Sequence, residues 1–224
     1  MKTLIISDLH LFTEYDKELS HYIADLLSSV DQVIINGDFW DHYLCTFPEF
    51  IQSEWKELFP LFLEKKAIYI YGNHDKKKFM DERVSLFSVQ QLEKYVLTQS
   101  GKTFVIEHGH HIAPERDDKH PILTKLLGPF YPRFYFYLLK GVPLATWLNR
   151  KIVFSAQEKI DKKLVQYVSK QRDSNVKGYI FGHSHIFNEM TIPHYFNSGY
   201  FWAGTARYLI IENGKVIPKV EHYW

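Results

Sequence analysis

Residues 3–10 read TLIISDLH, a short apolar run that ends abruptly in an acid and an imidazole. Four or five residues rich in isoleucine are too few for a helix, so residues 3–7 predict a buried strand with Asp8 and His10 at its carboxyl end. The same grammar recurs along the chain. Residues 32–36 (QVIIN) lead into Gly37-Asp38, and 67–71 (AIYIY) lead into Gly72-Asn73-His74-Asp75. Residues 103–107 (TFVIE) lead into His108-Gly109-His110, and 177–181 (KGYIF) into Gly182-His183-Ser184-His185.

Between the first three runs, apolar residues fall at helical spacing. Leu19, Ile23, Leu26 and Leu27 define one helix over 16–29. Phe50, Ile51, Trp55, Leu58, Phe59 and Phe62 define another over 48–65, in which Pro60 predicts a kink. The opening is therefore β-α-β-α-β. The tail 187–224 returns to strands, with Asn213-Gly214 marking a hairpin. The expected class is α/β (α+β), one domain over 1–224, with a largely helical insertion at about 112–172.

Composition narrows the chemistry. A chain of 224 residues, 46% hydrophobic and 24% charged, has room for a sizeable core, which argues against disorder. Cys45 is the sole cysteine, so ligands must come from oxygen and imidazole, and a reducing, cytoplasmic compartment is expected. Asp8 and His10 interrupt the first apolar run too early for a signal-peptide core, and no apolar stretch reaches the roughly 20 residues a membrane span needs.

In an open α/β sheet, loops at the carboxyl ends of strands converge on one rim, so five clusters remote in sequence can meet there. Carboxylate, imidazole and amide oxygen suit borderline-hard divalent ions such as Mn, Fe, Co or Zn. In Asp8-x-His10 and His183-x-His185 the paired side chains project to the same side of extended backbone, so both can reach one metal pair. Gly37, Gly72, Gly109 and Gly182 adjoin these positions, where a backbone without Cβ can approach an ion closely.

The ordered set DLH, GD, GNHD, HGH and GHSH, spanning residues 8–185, resembles the calcineurin-like metallophosphoesterase superfamily. That resemblance implies a β-sandwich flanked by helices and a dinuclear centre. It assigns Asp8, His10, Asp38 and His185 to one metal, and Asp38, Asn73, His108 and His183 to the other, with Asp38 bridging. It also implies His74 as general acid or phosphate contact. Two cations would lower the pKa of a water that attacks phosphorus in line and would neutralise the phosphoryl oxygens. Asp41 and Asp75 read as carboxylates that cap or orient. Asn197, in Asn197-Ser198-Gly199, either contacts substrate or closes a turn. His110 and His111 stand beside His108 with a supporting role left open, whereas His21, His42, His120, His194 and His222 match no motif and read as surface or packing residues.

Substrate class should be written in the insertion. Residues 119–172 hold eleven Lys/Arg against Glu158 and Asp161, a net of +9, which leaves the rest of this +1 chain at −8. Phe130, Tyr131, Phe134, Tyr135, Phe136, Tyr137, Trp147 and Phe154 are interleaved with these cations, and Pro129, Pro132, Gly141 and Pro143 divide the segment into short helices. One reading is a cap whose aromatics are core. The other is a cationic amphipathic lid that rests on an anionic membrane or holds acyl chains. A helical insertion before GHSH is most similar to the UDP-2,3-diacylglucosamine pyrophosphohydrolases of lipid A synthesis, which implies a nucleotide-sugar lipid substrate and a peripheral place on the inner membrane face. That branch carries GNRD where this chain has GNHD. A nuclease of the same superfamily would share the motifs but would use an extended groove, and a non-enzymatic scaffold would have lost ligands.

If the segment is a lid, binding to anionic vesicles weakens as salt rises, because each Lys or Arg contributes about 1 kcal/mol near such a surface. Replacing Phe134, Phe136 and Trp147 together by Ser raises KM for an acylated substrate and spares a soluble aryl phosphodiester. If both activities fall in a variant destabilised by circular dichroism, the aromatics are core.

Overall fold

In the computed structural model, residues 1–114, 143–187 and 192–224 are described, with 143–155 described by backbone alone. The strands run β1 (Lys2–Ile6), β2 (Gln32–Asn36), β3 (Ile68–Ile70), β4 (Gln90–Leu92), β5 (Lys94–Gln99), β6 (Lys102–Glu107), β7 (Val176–Phe181), β8 (Tyr195–Asn197), β9 (Phe201–Trp202), β10 (Thr205–Glu212) and β11 (Lys215–His222). One sheet has the order β11-β10-β1-β2-β3-β4 with β9 on β10, and the second has β5-β6-β7-β8. β1, β2, β3 and β4 are mutually parallel, as are β6, β7 and β8. All five strands read from the sequence form, within a residue or two of the expected ends.

Side-chain alternation explains the layering. Ile5, Ile34, Ile68, Ile70, Leu209 and Ile211 from the first sheet meet Leu97, Phe104, Ile106 and Ile180 from the second, giving the interior of a β-sandwich. Leu4, Ile6, Val33, Ile35 and Tyr69 point from the other face of the first sheet into helices. α1 (Lys17–Ser28) supplies Leu19, Ile23, Leu26 and Leu27 to that layer and is capped by Asp16, whose side chain accepts from Leu19 N. On the far side of the second sheet, α4 (Pro143–Ser169) lays Ile160, Leu164 and Val168 against Val105, Tyr179 and Phe181. Central strands buried on both faces account for the continuous apolar runs of the sequence.

Three expectations need correction. The helix expected over 48–65 is two short helices, α2 (Phe47–Gln52) and α3 (Phe59–Glu64), joined by a 3₁₀ turn over Glu54–Leu58. Ser53 adopts extended backbone and its hydroxyl donates to Phe50 O, which ends α2. Pro60 lies in the first turn of α3, where a missing N–H costs nothing, so it opens a helix instead of kinking one. Pro143 likewise begins the 27-residue α4 and does not divide it. The aromatics from Phe130 to Tyr137, with Pro129, Pro132 and Gly141, lie outside the described residues, so the lid and cap readings stand where the sequence left them. β4 and β5 were not expected. Asn213 and Gly214, at φ 50° and 67°, form the foreseen two-residue hairpin between β10 and β11.

Candidate metal centre

The ends of β1, β2, β3, β6 and β7 bring Asp8, His10, Asp38, Asn73, His74, His108, His183 and His185 to one rim. Five of these residues, Asp8, His10, Asp38, His183 and His185, have φ between 48° and 66°. Left-handed backbone is unfavourable for any residue with a Cβ, so its concentration here marks a site whose geometry is imposed by its surroundings. The imposing contacts are visible. Asp8 N donates to Gly37 O at 3.1 Å, His10 N to Asp38 O at 3.0 Å and Gly182 N to His108 O at 3.1 Å. A Cβ on Gly37 would collide with the His108 ring, and one on Gly72 with Asp38, so both positions are kept bare to let the loops close.

Two donor groups result. Asp8, His10 and His185 place one ligand atom each within 4.8 Å of one another, as do Asp38, His108 and His183. His185 Nε2 lies 2.9 Å from Asp8 Oδ1, and His108 Nε2 lies 3.1 Å from both Asp38 Oδ2 and Asn73 Oδ1. Asp38 Oδ2 is also 4.0 Å from His10 Nε2, so this carboxylate stands between the groups. The second ring nitrogens are committed elsewhere, His108 Nδ1 to Asn36 O at 2.8 Å and His183 Nε2 to Ala113 O at 2.8 Å. Such bonds fix tautomer and ring orientation, leaving His108 Nε2 and His183 Nδ1 for a ligand.

Charge tells the same story. Asp8 and Asp38 are each 1% exposed, and among the described residues their ion-pair partners are all imidazoles. Burial alone would raise both carboxyls, yet His185 beside Asp8 and His108 beside Asp38 hold them below the usual range. Burial would likewise depress His108, but Asp38 against its ring lifts it to about 10. His183, buried and close to His108, falls to about 4. Two sequestered carboxylates opposed only by neutralisable imidazoles, with an amide oxygen among them, form a donor set that divalent cations fit.

Asp41 and Asp75 orient and cap no helix. Asp41 Oδ2 accepts from His10 Nδ1 at 3.1 Å and from His74 Nδ1 at 2.9 Å, tying the two imidazoles to one acid. Asp75, fully buried, accepts from Phe39 N at 2.8 Å, from Gly72 N at 2.6 Å and from the Tyr69 hydroxyl, which stitches the loop after β2 to the loop after β3. Burial, followed by the charge of Asp38, pushes its carboxyl up to about 6. Asn197 is wholly buried, donating to Gly182 O and Ser184 Oγ and accepting from Gly199 N, which is the geometry of a turn closure with no surface turned to a substrate.

Other supports escaped the sequence reading. His42 reads as surface or packing, yet its backbone N and ring Nδ1 both bond His74 O, at 3.1 and 2.5 Å. Ser7, Asn36 and Ser198 form a buried hydroxyl and amide cluster under the rim, with Ser198 Oγ 2.8 Å from Ser7 Oγ and 3.1 Å from Asn36 Nδ2. The one available signal was a polar residue closing an otherwise apolar strand just before a ligand.

A helix-flanked β-sandwich that gathers carboxylates and imidazoles at strand ends is an architecture suited to metal-dependent phosphoester hydrolysis. The chain belongs to the calcineurin-like phosphoesterase family, whose model matches residues 1–187. It is similar in fold to an archaeal phosphodiesterase, at 16% identity and a TM-score of 0.50, covering 99% of this chain and 100% of that one. It also resembles the Yfce phosphoesterase from E. coli, at 15% identity and a TM-score of 0.49 over 95% and 89% of the chains. Zinc-complexed Vps29 from Entamoeba histolytica matches at 13% identity and a TM-score of 0.46 over 100% and 99%. No curated protein matches the chain. No helix among the described residues is long and apolar enough to cross a membrane.

The acceptors gathered by Asp75 generate a prediction. Asp75→Ala leaves two buried amides and the Tyr69 hydroxyl without their partner, so unfolding free energy should drop by roughly 3–5 kcal/mol at 1–3 kcal/mol per orphaned group, allowing for partial relaxation. Urea denaturation measures it; a loss under about 1 kcal/mol would show that the loops close without this acid.

Proposed function

We propose that the chain hydrolyses a phosphodiester or pyrophosphate bond at a dinuclear centre. In this reading Asp8, His10, Asp38 and His185 hold one divalent ion and Asp38, Asn73, His108 and His183 hold the other. The observation that carries it is the position of Asp38 Oδ2, between His108 Nε2 at 3.1 Å and His10 Nε2 at 4.0 Å. When bound, the two ions, with Mn the first choice and Fe, Co or Zn alternatives, supply an activated water and neutralise phosphoryl charge. The protein's own work is positioning. Asp41 fixes His10 for its ion and presents His74 through Nδ1, so His74 Nε2 is the atom that protonates the leaving oxygen. The backbone N of His74 donates to Asp38 Oδ1 at 2.8 Å, which links the proton donor to the bridging acid.

For substrate we infer a nucleotide-sugar lipid of the UDP-2,3-diacylglucosamine kind, taken at an anionic membrane face. The +9 charge and aromatic content of residues 119–172 support this. The presence of His74 where that branch has Arg favours a second reading, hydrolysis of smaller phosphodiesters. A turnover screen of the Mn-loaded protein against UDP-diacylglucosamine, bis-p-nitrophenyl phosphate and single-stranded DNA separates these readings from a nuclease.

Two variants test the centre itself. Asp38→Ala should lose turnover and retain less than one equivalent of Mn after desalting, against two in the parent; retention of two disproves the bridging assignment. His74→Asn should keep both equivalents and lower turnover roughly 10²–10⁴-fold, the scale of general acid catalysis, with a smaller loss for good leaving groups. An equal loss for good and poor leaving groups would make His74 a phosphate contact instead.

A further inference from the structure

Beyond the rim, Glu93, His110 and His111 place one donor atom each within 4.8 Å of one another. Glu93 sits in the connection between β4 and β5, and both histidines sit in the turn that follows β6 and His108. His111 Nε2 lies 3.3 Å from Glu93 Oε2, which taken alone is an exposed pair of little energetic weight. His110 changes that reading. The residue is 5% exposed, and its Nδ1 is buried without a hydrogen-bond partner, one of four such side-chain atoms among the described residues. A buried imidazole nitrogen without a partner forfeits its hydration and calls for an explanation. The His108 ring, 5.6 Å away between centroids, cannot relieve it, because its Nδ1 is held by Asn36 O and its Nε2 faces Asp38 and Asn73. The His111 ring lies 3.9 Å away between centroids, and one donor atom of Glu93 is within reach of both imidazoles. The turn is already set, since Ile112 N and Ala113 N both donate to Gly109 O at 3.0 Å.

We propose that Glu93, His110 and His111 form a third cation site, separate from the dinuclear centre, that takes one borderline transition ion such as Zn²⁺. Two imidazoles and one carboxylate with remaining positions open to water match a common zinc donor set. Zinc exceeds manganese in affinity for sites with two imidazole donors, so zinc is the ion with which to probe this one. It does not rest on the dinuclear assignment, because none of its three residues belongs to that set.

The test compares zinc content of the parent and of the double variant Glu93→Gln/His111→Ala after equilibration with micromolar zinc and removal of free metal. Both substituted side chains are exposed, so circular dichroism should be unchanged, and manganese content of the same protein reports the rim centre separately. The expected result is one zinc equivalent fewer in the double variant with equal manganese in both. The same one-equivalent difference should persist when Asp38→Ala is added to each, which keeps a failure of the dinuclear reading distinct from a failure of this site. Equal zinc contents overturn the proposal, as does a loss that also removes manganese.

Discussion

Two carboxylates, Asp8 and Asp38, are withdrawn from water at the ends of neighbouring parallel strands, and the counter-charges described around them are histidines. A buried unpaired charge is among the costliest features a fold can carry, so the histidines have to be there before the strands can end this way. Everything else on the rim serves that requirement. The glycines at 37 and 72 let the acid and imidazole loops touch, and Asn36 O and Ala113 O turn the rings so that nitrogen faces carboxylate.

The strained backbone shows what holds the arrangement. Left-handed conformation costs of order 1–2 kcal/mol per residue with a Cβ, and the five rim residues with positive φ add to a sizeable part of the 5–15 kcal/mol by which a typical domain is stable. Local propensity would relax each of them. They persist because Asp75 cross-links the β2 and β3 loops while Asn197 and Ser198 lock the β7 loop from the neighbouring strand end. Burial of the sandwich interior, with Ile5, Ile34, Ile106 and Ile180 from opposing sheets in one cluster, is what fixes those strand ends relative to one another.

This division of labour explains which parts could be read in advance. Strands buried on both faces are written as unbroken apolar runs, so β1, β2, β3, β6 and β7 were legible, and the chemistry was legible because it begins where each run stops. β4 and β5 were not, since residues such as Gln90, Lys94 and Val96 face solvent and leave no apolar run. The break at Ser53 was hidden because the apolar spacing continues across it. Supports such as the Asn36–Ser198 hydrogen bond join residues 162 positions apart, and nothing local announces a bond of that span.

The sharing of Asp41 has a consequence for how the site evolves a substrate preference. One carboxylate oxygen serves both His10, assigned to an ion, and His74, assigned to the leaving group, and the two rings meet edge to face at 4.5 Å. Burial would raise the Asp41 carboxyl, but His74 first and His10 with it hold it down, so the acid remains ionised and both Nδ1 atoms stay donors. An arginine at position 74 could pair with the same acid, but as a permanently charged clamp it would offer no proton to a departing oxygen. In the proposed mechanism, histidine there exchanges phosphate clamping for proton donation, a trade that matters most where the leaving group is a poor one. On that proposal the identity of residue 74 bears on the leaving group, and the basic, aromatic sequence of residues 119–172 on what the rest of the substrate can be.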